Sequence, residues 1–261
     1  MVLAELLELA PGGVEEVELG GEVVEYAVYG APGELPALPA LTAAAGEALV
    51  EIETREVADD WEERWRQFHR PLVIGTRLTV RPPWEPPSAT DIDLVIDPGQ
   101  AFGTGAHATT RLCVELMLDL PDATGPFVDL GCGSGVLAIA AARLGYAPVI
   151  ALDNDPAAIA ATRANARRNR VRLDEVRRFD LRAERAPLDG ATVAANLLRP
   201  LLAVVADGIG PGGEPRRLIA SGLLLAEQAE ISAAFAAHGL NESDRLERGD
   251  WAALLLSRQV P

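Results

Sequence analysis

The run Val128-Asp129-Leu130-Gly131-Cys132-Gly133-Ser134-Gly135-Val136-Leu137-Ala138 sets one carboxylate, then three alternate glycines, then an apolar stretch. A short strand, Phe127 to Leu130, would bring Asp129 to its carboxyl end before the chain turns into a helix over Val136 to Leu144. In open α/β sheets ligands bind outside the carboxyl ends of strands, and glycine lets backbone approach where any Cβ would collide. Asp153 follows a second strand, Val149 to Leu152, where a carboxylate can accept both hydroxyls of a ribose. A dinucleotide site shares this layout, but its fingerprint is G-x-G-x-x-G with a pyrophosphate on the helix N-terminus. The spacing here is G-x-G-x-G, with an acidic residue two positions before the first glycine. That suits a nucleoside with a zwitterionic amino-acid tail, so the expected ligand is S-adenosylmethionine and the expected chemistry methyl transfer. A nicotinamide-dependent oxidoreductase is the alternative from another class, and glycines serving only a turn are the structural alternative.

Two more segments carry polar and glycine-rich character at strand ends. One is Asp97-Pro98-Gly99-Gln100-Ala101-Phe102-Gly103-Thr104-Gly105-Ala106-His107-Ala108-Thr109-Thr110, and the other is Ala194-Ala195-Asn196-Leu197-Leu198. With Trp61, Trp65 and the glycine turn, they make the chain resemble the bacterial methyltransferases of large-subunit ribosomal protein eleven, from about Val2 to Val260. The resemblance implies a donor pocket at Thr110, Gly131, Asp153 and Asn196, with Phe102, Gly103 and Thr104 covering the donor near its methyl group. Asp129 and Gly133 complete the expected donor contacts. Asn196 is the catalytic candidate: its side-chain oxygen could hold the N–H bonds of an amine and aim the lone pair. Capping of the following helix is the competing role for Asn196. His107 matches the family histidine, with a structural role in its loop weighed against a catalytic base. The implied substrates are the α-amine and lysine side chains of that ribosomal protein. Another protein, or a small-molecule amine, is the alternative acceptor, and a donor-binding module without activity is a further reading.

The elements that must position these residues follow from periodicity. From Pro126 onward strands and helices alternate, which argues a covered parallel sheet. The helix Pro156 to Asn169, strands near Val176 to Phe179, Ala191 to Ala195 and Leu218 to Ser221, and the helix Ala226 to Ala237 precede a hairpin, Asp244 to Glu247 with Trp251 to Ser257. Leu72 to Val80 and Ile92 to Ile96 read as strands around a proline-rich stretch. The expected fold is α/β: a doubly wound, mostly parallel, seven-stranded Rossmann-like sheet.

Ahead of it the pattern reads helix (Val2 to Ala10), strand (Val14 to Leu19), strand (Val23 to Tyr29), helix (Pro36 to Leu49), strand (Val50 to Val57). That is a small α+β ferredoxin-like unit lacking its first strand. The expected organisation is a substrate-recognition domain over 1–57, a linker helix over 58–70, and a methyltransferase domain over 71–261. In the linker, Asp60 can cap the helix with Glu63, and Trp61, Trp65 and Phe68 share a face.

Composition narrows the class further. The formal net charge is −16 and every basic residue is arginine, so the far field disfavours nucleic acid and favours cationic partners. No apolar run reaches the roughly 18–20 residues of a membrane span, and Met1 to Glu5 does not read as a signal peptide. The two cysteines, Cys113 and Cys132, lack metal-ligand spacing. A monomeric cytoplasmic enzyme without a metal, bound neither to nucleic acid nor to membrane, is the expectation.

Overall fold

The computed structural model describes residues 15–20, 23–28, 41–42, 51–52, 69–98 and 107–258. The chain divides into two compact units, Met1–Trp65 and Arg66–Pro261. In the first, strands β1 (Glu15–Gly20) and β2 (Val23–Ala27) pair antiparallel, Glu15 opposite Ala27, as the Gly20-Gly21 turn predicts. The helices expected at 2–10, 36–49 and 60–68 lie outside the described residues, apart from a helical Leu41–Thr42. Of the strand expected at 50–57, only Glu51 and Ile52 are described, and they are not in a strand.

The second unit opens on a three-stranded sheet: β3 (Leu72–Ile74), β4 (Leu78–Arg81) and β5 (Ile92–Val95). The single strand expected from Leu72 to Val80 is instead a hairpin. Its chain reverses at residues 75–77, where Gly75 takes φ +57°, and β3 then runs antiparallel to β4. Arg81 and Asp93 lock β4 to β5 through Nη2 to Oδ2 at 2.8 Å.

The main sheet has seven strands. In chain order they are β6 (Phe127–Leu130), β7 (Val149–Asp153), β8 (Glu175–Arg178), β9 (Thr192–Asn196), β10 (Arg217–Leu224), β11 (Leu240–Arg248) and β12 (Trp251–Arg258). In space the order is β11-β12-β10-β9-β6-β7-β8, with β12 antiparallel to both neighbours and the rest parallel. The order reverses between β6 and β9, so a crevice opens at their carboxyl ends. That is where Gly131 and Asn196 stand.

Among the described residues five α-helices cover the sheet: α1 (Ala108–Asp119), α2 (Val136–Leu144), α3 (Pro156–Arg168), α4 (Arg199–Asp207) and α5 (Gln228–Ala236). Helix α1 was not among the expected elements. Its Leu112, Cys113, Leu116 and Met117 pack into the core while Arg111, Glu115 and Asp119, spaced four apart, make its outer face, so the helical period is present in its sequence. The central strand β6 is closed on both faces: Phe127, Val128, Asp129 and Leu130 are each fully buried. Among the described residues no helix is long and apolar enough to cross a membrane.

Candidate active site

The turn after β6 is held from three sides. Gly131 and Cys132 donate their backbone N–H groups to Leu152 O at 2.8 and 3.1 Å, which ties the turn to β7. Gly133 N–H donates to Asp153 Oδ2 at 2.9 Å, while Asp155 N–H donates to Oδ1 at 2.9 Å. The carboxylate of Asp153 is thus clamped in one orientation with lone pairs left over. Helix α3 supplies the third side. Thr162 Oγ1 donates to Gly133 O at 3.0 Å, and Asn165 Nδ2 donates to Ser134 O at 2.9 Å.

The glycines are required by conformation and by close approach. Gly131, Gly133 and Gly135 have φ of +73°, +50° and +82°, a region that side chains strain to enter. A Cβ on Gly135 would stand 2.8 Å from Thr162 Cγ2, and one on Gly131 would overlap the Leu197 side chain.

Asp129 lies beneath this turn. It is fully buried, with Oδ2 accepting from Ala138 N–H at 3.0 Å and Oδ1 without a partner among the described residues. Burial pushes its carboxyl up to about 7; the Ala138 N–H opposes that shift, and the nearby Asp153 charge adds to it. Burial also raises the Cys113 thiol to about 12, and it raises Cys132 as well, so neither thiol is a nucleophile at neutral pH.

Across the crevice, Asn196 ends β9 one register step beyond the Leu130–Ala195 pair, beside Gly131. One end of its amide donates to Thr110 Oγ1 at 3.3 Å. The other, Oδ1, is buried and has no partner among the described residues. A buried acceptor without a donor costs about 1–3 kcal/mol. Thr110 comes from the first turn of α1, which His107 caps: Thr109 N–H donates to His107 Nδ1 at 3.3 Å. The His107 ring stands edge-on to Trp251, 5.0 Å between centroids, and burial lowers its pKa to about 4. His107 is therefore neutral at physiological pH and serves as a helix cap. Phe102, Gly103 and Thr104 lie outside the described residues.

Several positioning residues were not singled out from the sequence. Asn165, buried in α3, accepts from Asp97 N–H at 3.0 Å while it holds Ser134 O. One turn on, Asn169 accepts from Val95 N–H at 2.8 Å and donates to Val95 O at 2.7 Å. The pair fastens the chain leaving β5 to the glycine turn. Gly222, at a bulge in β10 with φ +82°, lets the Leu197 backbone approach; a Cβ there would be 2.6 Å from Leu197 O. Two asparagines four apart on a helix were a legible signal, since both face one side. Gly222 offered none.

A crevice at the strand-order reversal, with a clamped carboxylate on one wall and a buried amide on the other, fits a nucleoside ligand. The model of the family described as ribosomal protein L11 methyltransferase matches residues 36–259. The chain belongs to that family. It is 40% identical over 238 residues to the ribosomal protein L11 methyltransferase of Chloroflexus aurantiacus, covering 79% of this chain and 72% of that protein. The one from Pelotomaculum thermopropionicum is 40% identical over 210 residues, covering 78% of this chain and 67% of that protein. For the Heliobacterium modesticaldum protein the share of the relative is 64%, so this chain matches about two thirds of its relatives' length. The crystal structure of ribosomal protein L11 methylase from Lactobacillus delbrueckii subsp. bulgaricus superimposes with a TM-score of 0.58 at 25% identity, over 74% of this chain and 100% of that one. On this membership the chain is an S-adenosylmethionine-dependent protein methyltransferase.

The crevice fits that donor on its own chemistry. Asp153 has free acceptor capacity for ribose hydroxyls, and Asn196 Oδ1 lacks a hydrogen-bond donor.

Proposed function

We propose that this enzyme methylates the N-terminal α-amine and lysine ε-amines of large-subunit ribosomal protein L11. The observation that carries the reading is the buried, unpartnered Asn196 Oδ1 at the carboxyl end of β9, beside the glycine turn. That the relatives are ribosomal protein L11 methyltransferases supports the same protein as acceptor.

In this reading Asp153 binds the ribose hydroxyls, Gly131 and Gly133 bring bare backbone to the donor, and Thr110 orients Asn196. Phe102, Gly103 and Thr104 cover the donor, and Asp129 acts from beneath by holding the first turn of α2. When bound, S-adenosylmethionine supplies a methyl carbon on a cationic sulfur, so an N–C bond forms as the C–S bond breaks toward sulfur. Little acid–base assistance is needed for that displacement, and the protein's share is orientation and exclusion of water.

The acceptor must arrive as a free amine. Neutralising a lysine of pKa ~10.4 at pH 7 costs about 4–5 kcal/mol, against about 1 kcal/mol for an α-amine. The unpartnered oxygen of Asn196 accepts an N–H of the neutral amine and leaves its lone pair facing the methyl group. His107, which spends Nδ1 on capping α1, takes no part as a base. Residues 1–57 recognise the acceptor, with the 58–70 segment joining them to the methyltransferase domain, and the enzyme acts as a cytoplasmic monomer.

The test is radiolabelled methyl transfer into ribosomal proteins from an untreated and a methylation-deficient extract. Label entering a single large-subunit protein only in the deficient extract is the expected result. Label spread over many proteins, or none above background, would remove this acceptor. An otherwise active enzyme lacking residues 1–57 would point to a small-molecule amine.

A further inference from the structure

The arginines of this acidic chain are unevenly placed. Between Arg163 and Arg178 there are seven arginines and two carboxylates, Asp174 and Glu175, a local charge of +5; the rest of the chain carries −21. Carboxylates engage Arg81, Arg199, Arg216, Arg217, Arg245 and Arg248, and within the cluster they engage Arg168 (Asp97) and Arg177 (Glu175 and Glu184). Three arginines of the cluster are different. Arg167, Arg170 and Arg172 are exposed, and their side chains make no ion pair or hydrogen bond among the described residues. Arg163 is exposed and spends one nitrogen on a backbone oxygen, Val176 O, at 2.5 Å. With carboxylates in such excess, guanidiniums left unpaired on one face stand out.

These arginines also frame a space. An open hollow of about 290 Å³ lies between the end of α3 and the edge strand β8, rimmed by Arg163, Arg167 and Arg172 and floored by Val171, Leu173 and Val176. Two bland accounts cover part of this. Basic residues in the last turn of a helix complement its dipole, and charge on an edge strand deters strand pairing. Neither explains Arg170 and Arg172, which lie past the helix and before the strand.

We propose that this face is a docking surface for single-stranded RNA. The planar guanidinium matches phosphate bidentately and stacks on bases, and an apolar floor accepts a base where an acidic peptide would present only carboxylates. The net charge of −16 argues against nucleic acid only at long range, because salt screens charge beyond about 8–10 Å and contact is governed by the arginines at hand, whose excess over carboxylates stays positive after Asp97 and Glu184 neutralise Arg168 and Arg177. The surface begins on α3, the helix whose Asn165 holds the glycine turn, and Arg168 of the same cluster pairs with Asp97 at 3.2 Å. The proposal deepens the reading above and does not depend on which amine is methylated.

The experiment is fluorescence anisotropy of a labelled oligouridine of about 12 nucleotides, titrated with full-length enzyme from about 50 to 200 mM salt. Wild type should bind with a log–log salt slope near −3, as for about four phosphate contacts on a single strand. R167E/R172E should bind at least tenfold more weakly and with a shallower slope. R245E/R258E, which changes net charge equally elsewhere, should lose less than threefold. R167Q/R172Q guards against damage to α3, and methyl transfer by all variants should match wild type, which also separates this outcome from any failure of the acceptor assignment. Equal losses in the two charge-reversed variants, no binding by wild type, or equal competition by polyglutamate would each overturn the proposal.

Discussion

Asn196 and Thr110 meet across the crevice, Asn196 Nδ2 donating to Thr110 Oγ1 at 3.3 Å although 86 positions separate them in the chain. The contact consumes one end of the Asn196 amide and so dictates that Oδ1 points elsewhere, buried and without a partner among the described residues. Helix α1 therefore sets the aim of a residue delivered by β9. Asn196→Ala should lower turnover at saturating donor by roughly tenfold to a hundredfold, the equivalent of about 1.5–3 kcal/mol for a hydrogen bond to an amine that becomes positively charged as the N–C bond forms. Steady-state methylation, paired with calorimetry of S-adenosylhomocysteine, separates turnover from affinity. Unchanged turnover would remove the aiming role.

Asp153 accepts from Gly133 and Asp155 N–H groups, both at 2.9 Å, so its loss frees the turn as well as the ribose contact. Asp153→Ala should weaken donor binding by about 1.5–3 kcal/mol, read by calorimetry. Full affinity in the variant would mean the sugar is held by other groups.

Asn165 is worth testing because it touches no ligand and yet satisfies Ser134 O and Asp97 N–H at once. Asn165→Ala removes both hydrogen bonds and should cost about 1–3 kcal/mol in urea denaturation, at about 0.5–1.5 kcal/mol for each bond. The donor KM should rise more than turnover falls. A purely structural role would lower stability and leave KM where it was.

His107 and Asp129 give opposite pH dependences. The His107 pKa falls to about 4 in the folded state through burial, below its ordinary 6.5, so the native state binds fewer protons. Its stabilising contribution is full above pH 6.5 and is lost as pH falls toward 4. Asp129, raised to about 7, works the other way: its contribution is full below its ordinary 3.8 and lost as pH rises through 7. His107→Asn keeps a capping acceptor and removes the acid-sensitive group. Relative to wild type it should gain about 2 kcal/mol between pH 7 and pH 5. Parallel urea curves at the two pH values check this; a constant difference would show that His107 is not held neutral.

Gly222→Ala places a Cβ 2.6 Å from Leu197 O at φ +82°. The backbone of Leu197 must shift, and Asn196 with it. A loss of about 1–3 kcal/mol in stability is expected from strain of this kind, with a fall in turnover larger than that of Gly249→Ala, whose Cβ meets open space.

Local patterns were enough for the alternating strands and helices from Phe127 onward, for the glycine turn with its positive φ, and for Asp153 and Asn196 at strand ends. Those features obey short-range rules: a turn into a helix needs particular φ values, and a strand buried on both faces needs an apolar run. The hairpin at Gly75 was read as continuous strand because apolar residues on both sides of the turn obscured the break. Helix α1 has a legible period, Arg111, Glu115 and Asp119 outside against Leu112, Cys113, Leu116 and Met117 inside, but the glycine- and threonine-rich segment running straight into it hides its start.

Partners across space were beyond sequence reading. That Asn165 spans Ser134 and Asp97, that Gly222 yields to Leu197, and that Asp129 faces Ala138 N–H beneath the crevice all follow from how separate elements pack. The same holds for charge. Composition alone announced a uniformly acidic molecule, whereas folding gathered Arg163, Arg167 and Arg172 around one hollow. Backbone rules act over a few residues, but packing and electrostatics act over a few ångströms, and only the tertiary structure says which residues those few ångströms contain.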